Sequence, residues 1–214
     1  MTDSLLMIFV KNLIPGMVKT RLAEDIGIFK ALEVYQELIY HTHKITRKLE
    51  VDKSVHYSEY VEVEDIWSDE HFTHKLQKGH SLGEKMSSAF DEGFDSYKKV
   101  VIIGSDCYDL NAKIIKAAFA MLEEHEVVVG PAKDGGYYLL GMNEYFPQLF
   151  EEKEYSTPNV LKELLETAEE LELSVYQLPT LNDIDTLDDL KETDIAWEKL
   201  GEEEEEEDEE GDLY

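Results

Sequence analysis

Lys99–Leu110 reads KVVIIGSDCYDL, and this stretch decides the fold. Val100–Ile103 is a short run, apolar on both faces, and a polar loop, SDCYD, begins directly after Gly104. An apolar run that short, bounded by glycine, is the pattern of a strand covered on both sides. Two more runs read the same way, LLMIFV (Leu5–Val10) and EVVVG (Glu126–Gly130). Between them the period changes. Thr20–Leu49 reads as helix, with a break near Gly27. A further helix begins at Ser81, where S-x-x-E (Ser81, Glu84) forms a capping-box pattern ahead of Met86, Ala89, Phe90 and Phe94. Asn111 caps a helix carrying Ile114, Ile115, Ala118 and Leu122, and Thr157-Pro158 opens another by the proline-at-N1 rule. Weaker strands are expected at Ser54–Ser58, within HFTHKLQKG (as an edge strand), at YYLLGM and at Ser174–Leu178. LNDIDTLDDL (Leu181–Leu190) reads as a polar loop entering a short helix. Alternating apolar strands and helices predict an α/β sandwich with a mostly parallel sheet.

The chain has 214 residues, enough for one sizeable core, and 43% hydrophobic residues to fill it. A single domain over 1–200 is expected. The ending GEEEEEEDEEGDLY holds ten acidic residues and no basic one, so 201–214 reads as a disordered acidic tail. The formal net charge is −29, which argues against nucleic acid and anionic membrane as partners. Small molecules remain as the expected substrates. With one cysteine, Cys107, no internal disulfide can form, which fits a cytoplasmic setting. No apolar run approaches the roughly 18 residues of a membrane span, and the N-terminus lacks a basic leader.

In a parallel sheet, ligands sit outside the carboxyl ends of the strands. The loops that follow the first and the central strand are therefore the candidate site. The first, KNLIPGMVKTRL (Lys11–Leu22), carries Lys11, Lys19 and Arg21 with no acid, in an otherwise acidic chain. Gly16 allows close backbone approach, and Lys19, Thr20 and Arg21 add donors, so the loop can cradle a diphosphate. A solvated basic loop paired with surface acids is the plain alternative. Ser81 and Gly83 of GHSLGEK join the candidate nucleotide-binding set.

In the second loop, Asp106 and Asp109 follow the central strand. Asp106 suits a hard cation such as Mg²⁺ or Mn²⁺, whereas Asp109 fits a helix-capping role beside Asn111. Asp183 or Asp185 of NDIDT can complete such a site, or cap the helix at Thr186. Cys107 reads as a small buried residue rather than a nucleophile. Asp134-Gly135-Gly136-Tyr137 reads either as a hairpin turn or as an acceptor-side element with Asp134 as base. The seven histidines show no chelating or triad spacing.

Taken together, KNLIPGMVKTRLA, GHSLGEKMSSAF, VVIIGSDCYDL, VVVGPAKDGGYYLLGM, YSTPNVL and LPTLNDIDTLDDL resemble, in this order, a group of bacterial glycosyltransferase-A-like transferases. These are the radical-SAM/selenodomain-associated transferase 1 type, some of them named for arsenosugar biosynthesis. The sequence is also similar to the 2-phospho-lactate and molybdenum-cofactor guanylyltransferases. The resemblance spans about Leu5 to Leu190. It implies a three-layer α/β/α nucleotide-diphospho-sugar transferase fold and a nucleotide-sugar or nucleoside triphosphate as substrate. It also implies Mg²⁺ or Mn²⁺ as cofactor. Lys11, Gly16, Lys19 and Arg21 would bind nucleotide or phosphates. Asp106 would be the main metal ligand with Asp185 as a second, and Asp134, Gly135 and Gly136 would line the acceptor side, with Tyr137 beside them. Three positions depart from the family pattern: Tyr108 stands in place of the usual proline, Met17 in place of a frequent arginine, and Tyr155 in place of a common tryptophan.

Three functions stay open at this level: glycosyl transfer from a nucleotide-sugar, nucleotidyl transfer from a triphosphate, and a non-catalytic nucleotide-binding module. Lys19-Thr20-Arg21 resembles a phosphate grip and favours the second. Glycosyl transfer to a hydroxyl calls for a base such as Asp134, whereas a phosphate acceptor needs none.

Overall fold

The computed structural model describes residues 2–151, 153–155 and 157–200; the acidic tail expected to be disordered lies outside them. The chain runs β1 (Ser4–Val10), α1 (Thr20–Ile26), α2 (Ile28–Thr46), β2 (Asp52–Tyr57), β3 (Thr73–Leu76), α3 (Leu82–Phe94), β4 (Lys99–Ile103), α4 (Ala112–Met121), β5 (Val127–Pro131), β6 (Tyr137–Met142), α5 (Val160–Glu170), β7 (Val175–Gln177) and α6 (Leu187–Lys191). Seven strands form one sheet in the order β3-β2-β1-β4-β6-β5-β7. β1 pairs in parallel with β2 and β4, β2 with β3, and β5 with β7. β6 alone runs antiparallel, between β4 and β5. The Asp134-Gly135 turn makes this reversal possible, because Gly135 adopts φ +91°.

Each central strand sends alternate residues to opposite faces. Leu6, Ile8, Val101, Ile103 and Val128 join one core with Leu22, Tyr35, Leu38, Ile115 and Leu190. Leu5, Met7, Val100, Ile102 and Val129 join a second core with Met86, Phe90, Leu164 and Ala168. Helices α1, α2, α4 and α6 thus cover one face, and α3 and α5 the other. The three-layer α/β/α sandwich follows, and it explains why the strand sequences are apolar throughout.

Most expected elements stand where the sequence places them. Gly27, at φ +87°, separates α1 from α2. Ser81 Oγ accepts from Glu84 N, and Asn111 accepts from Lys113 N and Ile114 N. β3 is the expected edge strand. The helix expected to open at Thr157-Pro158 instead begins at Val160. Leu161 N donates to Gly135 O, and a Cβ on Gly135 would lie 2.1 Å from Pro158 O. Residues 157–159 are therefore a turn seated on the β5–β6 hairpin, and no first helical turn is left for the proline to start.

Candidate active site

A cavity of about 560 Å³ opens at the carboxyl ends of β1, β2 and β4, a size within the range of small-molecule sites. One wall comes from the loop after β1. Lys11 N donates to Tyr35 Oη, 2.8 Å away, and Tyr35 Oη lies 2.9 Å from Ser105 Oγ. One buried phenol on α2 thus ties the loops after β1 and β4 together, and burial pushes its pKa up. Asn12 holds the loop after β2: its Oδ1 accepts from Glu59 N, and its Nδ2 donates to Tyr60 O. Gln77 Nε2 donates to Val10 O and His56 O, closing the floor. Lys11, Lys85 and Glu59 are among the charged residues that line the cavity.

The same cavity is rich in carboxylates. Asp106, Asp134, Asp183 and Asp185 line it, with Tyr137, Tyr138 and Tyr155. Ile184 N donates to Asp106 O, so the loop after β7 is strapped onto the loop after β4. Burial, reinforced by Asp106 and opposed by Lys19, pushes the Asp183 carboxyl up to about 7; Asp134 and Asp185 also raise it. Asp134 Oδ1 accepts from Gly136 N at 2.8 Å, as a hairpin turn requires, and Asp134 also lines the cavity. Gly83 and Gly130 lie against tyrosine rings: a Cβ on either would come within 2.4 Å of Tyr155 or Tyr138, respectively.

Lys19 and Arg21 pair with acids, as in the plain alternative reading of this loop. Lys19 adopts a left-handed conformation at φ 47°, and its side chain is only 4% exposed. Its Nζ lies 2.6 Å from Asp106 Oδ1, 3.8 Å from Asp185 Oδ1 and 2.5 Å from Ile184 O. Arg21, 71% exposed, donates to Asp185 Oδ2 at 3.1 Å. Both side chains lock the loop after β7 onto the start of α1, and neither lines the cavity. Thr20 opens α1, and Gly16, at φ +78°, turns the loop on the surface. Ser81 caps α3, Gly83 receives the Tyr155 ring, and Gly135 supports the hairpin; none of these lines the cavity. Lys11, Asp106, Asp134, Gly136, Tyr137 and Asp185 do. Tyr35, Asn12, Gln77 and Lys85 are the site residues the sequence reading missed. Lys85 carried a signal, since it lies one residue from Glu84 in the GHSLGEK motif; the other three are positioned only by contacts between distant segments. Cys107 is buried as expected, and burial pushes its thiol pKa up, which keeps it unreactive.

The donor set fits a hard divalent cation. Asp106 and Asp185 already share one cationic group, Lys19 Nζ, and both offer only oxygen. Among the described residues, no three His, Cys, Asp or Glu side chains stand ready around one point. Mg²⁺ does not require them, since one or two carboxylates with substrate phosphates and water complete its shell.

The sheet order, the cavity at the strand ends and the carboxylate-bearing loops define a nucleotide-diphospho-sugar-transferase type of fold, and comparison with known proteins bears this out. A structure from Desulfovibrio desulfuricans G20, provisionally described as a nucleotide-diphospho-sugar transferase, superposes with a TM-score of 0.82 at 32% identity, over 89% of this chain and 85% of that one. The inositol-1-phosphate CTP transferase of T. maritima shares the fold at 14% identity and a TM-score of 0.56, over 94% and 97% of the two chains. The 4-diphosphocytidyl-2C-methyl-D-erythritol synthase of Anaerococcus prevotii DSM 20548 does so at 10% and 0.55, over 89% and 93%. A search of curated proteins finds no match. The chain belongs to the DUF2064 family, described as an uncharacterized protein conserved in bacteria, whose model matches residues 39–157.

Proposed function

We propose that this protein transfers a glycosyl group from a nucleotide-sugar to a small-molecule acceptor. The observation that carries the reading is one cavity lined by two lysines, Lys11 and Lys85, that form no ion pair among the described residues, together with four aspartates. Lys11, Lys85 and the carboxyl ends of β1 and β2 hold the nucleotide and its phosphates. Asp106 and Asp185 would hold Mg²⁺ or Mn²⁺, which when bound would offset charge on the departing diphosphate. Asp134, on its rigid turn, takes the proton of the acceptor hydroxyl or amine. A bond forms between that acceptor atom and the anomeric carbon as the carbon–oxygen bond to the diphosphate breaks, and the electron pair leaves with the nucleoside diphosphate. The rival nucleotidyl reading leaned on Lys19-Thr20-Arg21 as a phosphate grip. Lys19 and Arg21 here are engaged with Asp106 and Asp185, so that support is absent. The likeness to the Desulfovibrio protein supports the same class.

A thermal-shift panel of nucleoside triphosphates, diphosphates and nucleotide-sugars, with and without Mg²⁺ or Mn²⁺, tests the proposal. Ligand binding to the native state raises its stability by mass action. The expected result is a metal-dependent rise, largest for one nucleotide-sugar and its diphosphate. A rise largest for a triphosphate transfers the weight to nucleotidyl transfer; no rise from any nucleotide refutes the proposal.

A further inference from the structure

Gly83 lies in the first turn of α3 without a positive φ, so its backbone does not require glycine. Glycine inside a helix costs about 0.5–1 kcal/mol relative to alanine. What it admits here is the Tyr155 ring: a Cβ on Gly83 would lie 2.4 Å from Tyr155 Cε2 and 3.0 Å from Cζ. Leu82 and Met86 stand one helical turn apart beside this seat, and Lys85 shares their face of the helix. Tyr137 Oη donates to Met86 Sδ at 3.8 Å. Burial, and then Tyr155 beside it, push the Tyr137 phenol pKa well up. Leu82, Lys85, Met86, Tyr137 and Tyr155 all line the cavity, and Leu82 is 45% exposed. These contacts join two phenol rings and two aliphatic side chains into one wall. The wall adjoins the turn that carries Asp134. Tyr137 begins β6 three residues after Asp134, and residues 157–161, which follow Tyr155, are seated on the same turn through Leu161 N and Gly135 O. A surface of this kind favours a ligand with a flat, carbon-rich face over an open-chain polar one.

We infer that the acceptor is a ring compound, and that Tyr155, seated on Gly83, is the surface on which the ring stacks. The inference rests on the transferase reading above and deepens it by naming the acceptor class. The adjoining Asp134 turn assigns this wall to the acceptor and not to the nucleotide, because the group that takes the acceptor proton has to lie within reach of the ring that bears it. Aromatic rings and sugar rings both offer the flat face that the wall fits, and the probes below tell them apart.

The test is a set of saturation-transfer NMR titrations of the full chain with three probes: benzyl alcohol (an aromatic ring), methyl β-D-glucopyranoside (a sugar ring) and glycerol (an open chain). Expected is saturable binding of at least one ring probe and none of glycerol at the same concentration; the tighter ring probe names the kind of ring. Tyr155→Phe keeps the ring and should keep the affinity. Tyr155→Ala should lose about 3- to 10-fold, the range of one aromatic contact. Gly83→Ala should lose as much while melting close to the wild type, because its new Cβ meets the movable far end of Tyr155 and alanine favours the helix. This variant decides the matter by itself if Tyr155→Ala fails to fold. Glycerol that binds as well as the rings, no binding of either ring, or ring affinity that ignores Tyr155→Ala and Gly83→Ala overturns the inference. The titration is then repeated with the protein saturated by the nucleotide-sugar found in the thermal-shift panel. A ring probe that stays bound beside it supports the acceptor assignment; one that is displaced puts Tyr155 under the donor and overturns it. A panel without any nucleotide response removes the transferase reading, whereas probe binding that does not depend on Tyr155 removes only this one.

Discussion

Replacing Lys19 with methionine keeps the apolar stem of the side chain and removes its ammonium. In the wild type that ammonium lies 2.6 Å from Asp106 Oδ1 and 3.8 Å from Asp185 Oδ1, and donates to Ile184 O. At an effective dielectric of about 20, the two attractions come to roughly 6 and 4 kcal/mol before desolvation is subtracted. The net figure is much smaller. Lys19 is 4% exposed, but its partners are 42% and 53% exposed, so water screens the carboxylates once the lysine is gone. Losing one member of a fully buried pair costs about 3–5 kcal/mol, so about 2–3 kcal/mol is expected here. For a chain of this size that lowers Tm by about 5–10 °C. The assay is thermal denaturation at pH 7.5, first with EDTA and then with Mg²⁺ or Mn²⁺. The metal-free variant should melt early, and divalent ion should restore it by more than it raises the wild type, because the freed carboxylates gain a cation. A Lys19→Met protein that melts with the wild type would refute the counter-ion role. A destabilised variant that ignores divalent ion would refute the assignment of Asp106 and Asp185 as metal ligands.

Two other perturbations probe the frame around the site. Gly135→Ala forces a left-handed φ on alanine and drives its Cβ into Pro158 O, so a loss of about 2–3 kcal/mol is expected in urea denaturation; wild-type stability would show that the hairpin and the 157–159 turn are not tightly seated. His56 is buried against Phe9 and Ser54, and burial, helped by Lys75 and Lys78 against Glu92, pulls its pKa down to about 4. The unfolded chain then binds the extra proton between about pH 6.5 and 4, so this group's contribution is present above pH 6.5 and is lost on acidification toward 4, about 3 kcal/mol in all. His56→Gln should flatten the stability profile between pH 7 and 4.5 relative to wild type, and parallel profiles would contradict a neutral buried imidazole.

The sequence alone determined the layers of this protein. Runs such as Val100–Ile103 and Leu5–Val10 can be satisfied only by burial on both faces, and that forces a sheet between two helical layers. Local capping chemistry likewise fixed where α3 and α4 begin, because Ser81 and Asn111 satisfy amides only two or three residues away. The sequence also pointed to two loops, since polar loops after buried strands are the ends where ligands collect, and the cavity opens beside both. What it could not determine was which way the basic side chains turn. Lys19 is drawn inward by Asp106 and Arg21 is held at the surface by Asp185, acids that lie more than eighty residues further along the chain, and no local pattern records that attraction. The start of α5 was decided in the same way: Gly135 takes the Leu161 amide and leaves Thr157-Pro158 in a turn. Tertiary structure likewise set the unequal standing of the aspartates. Asp183 is raised to about 7 by burial and by Asp106, whereas Asp134 sits on an exposed turn, a matter of distances that only the folded chain creates.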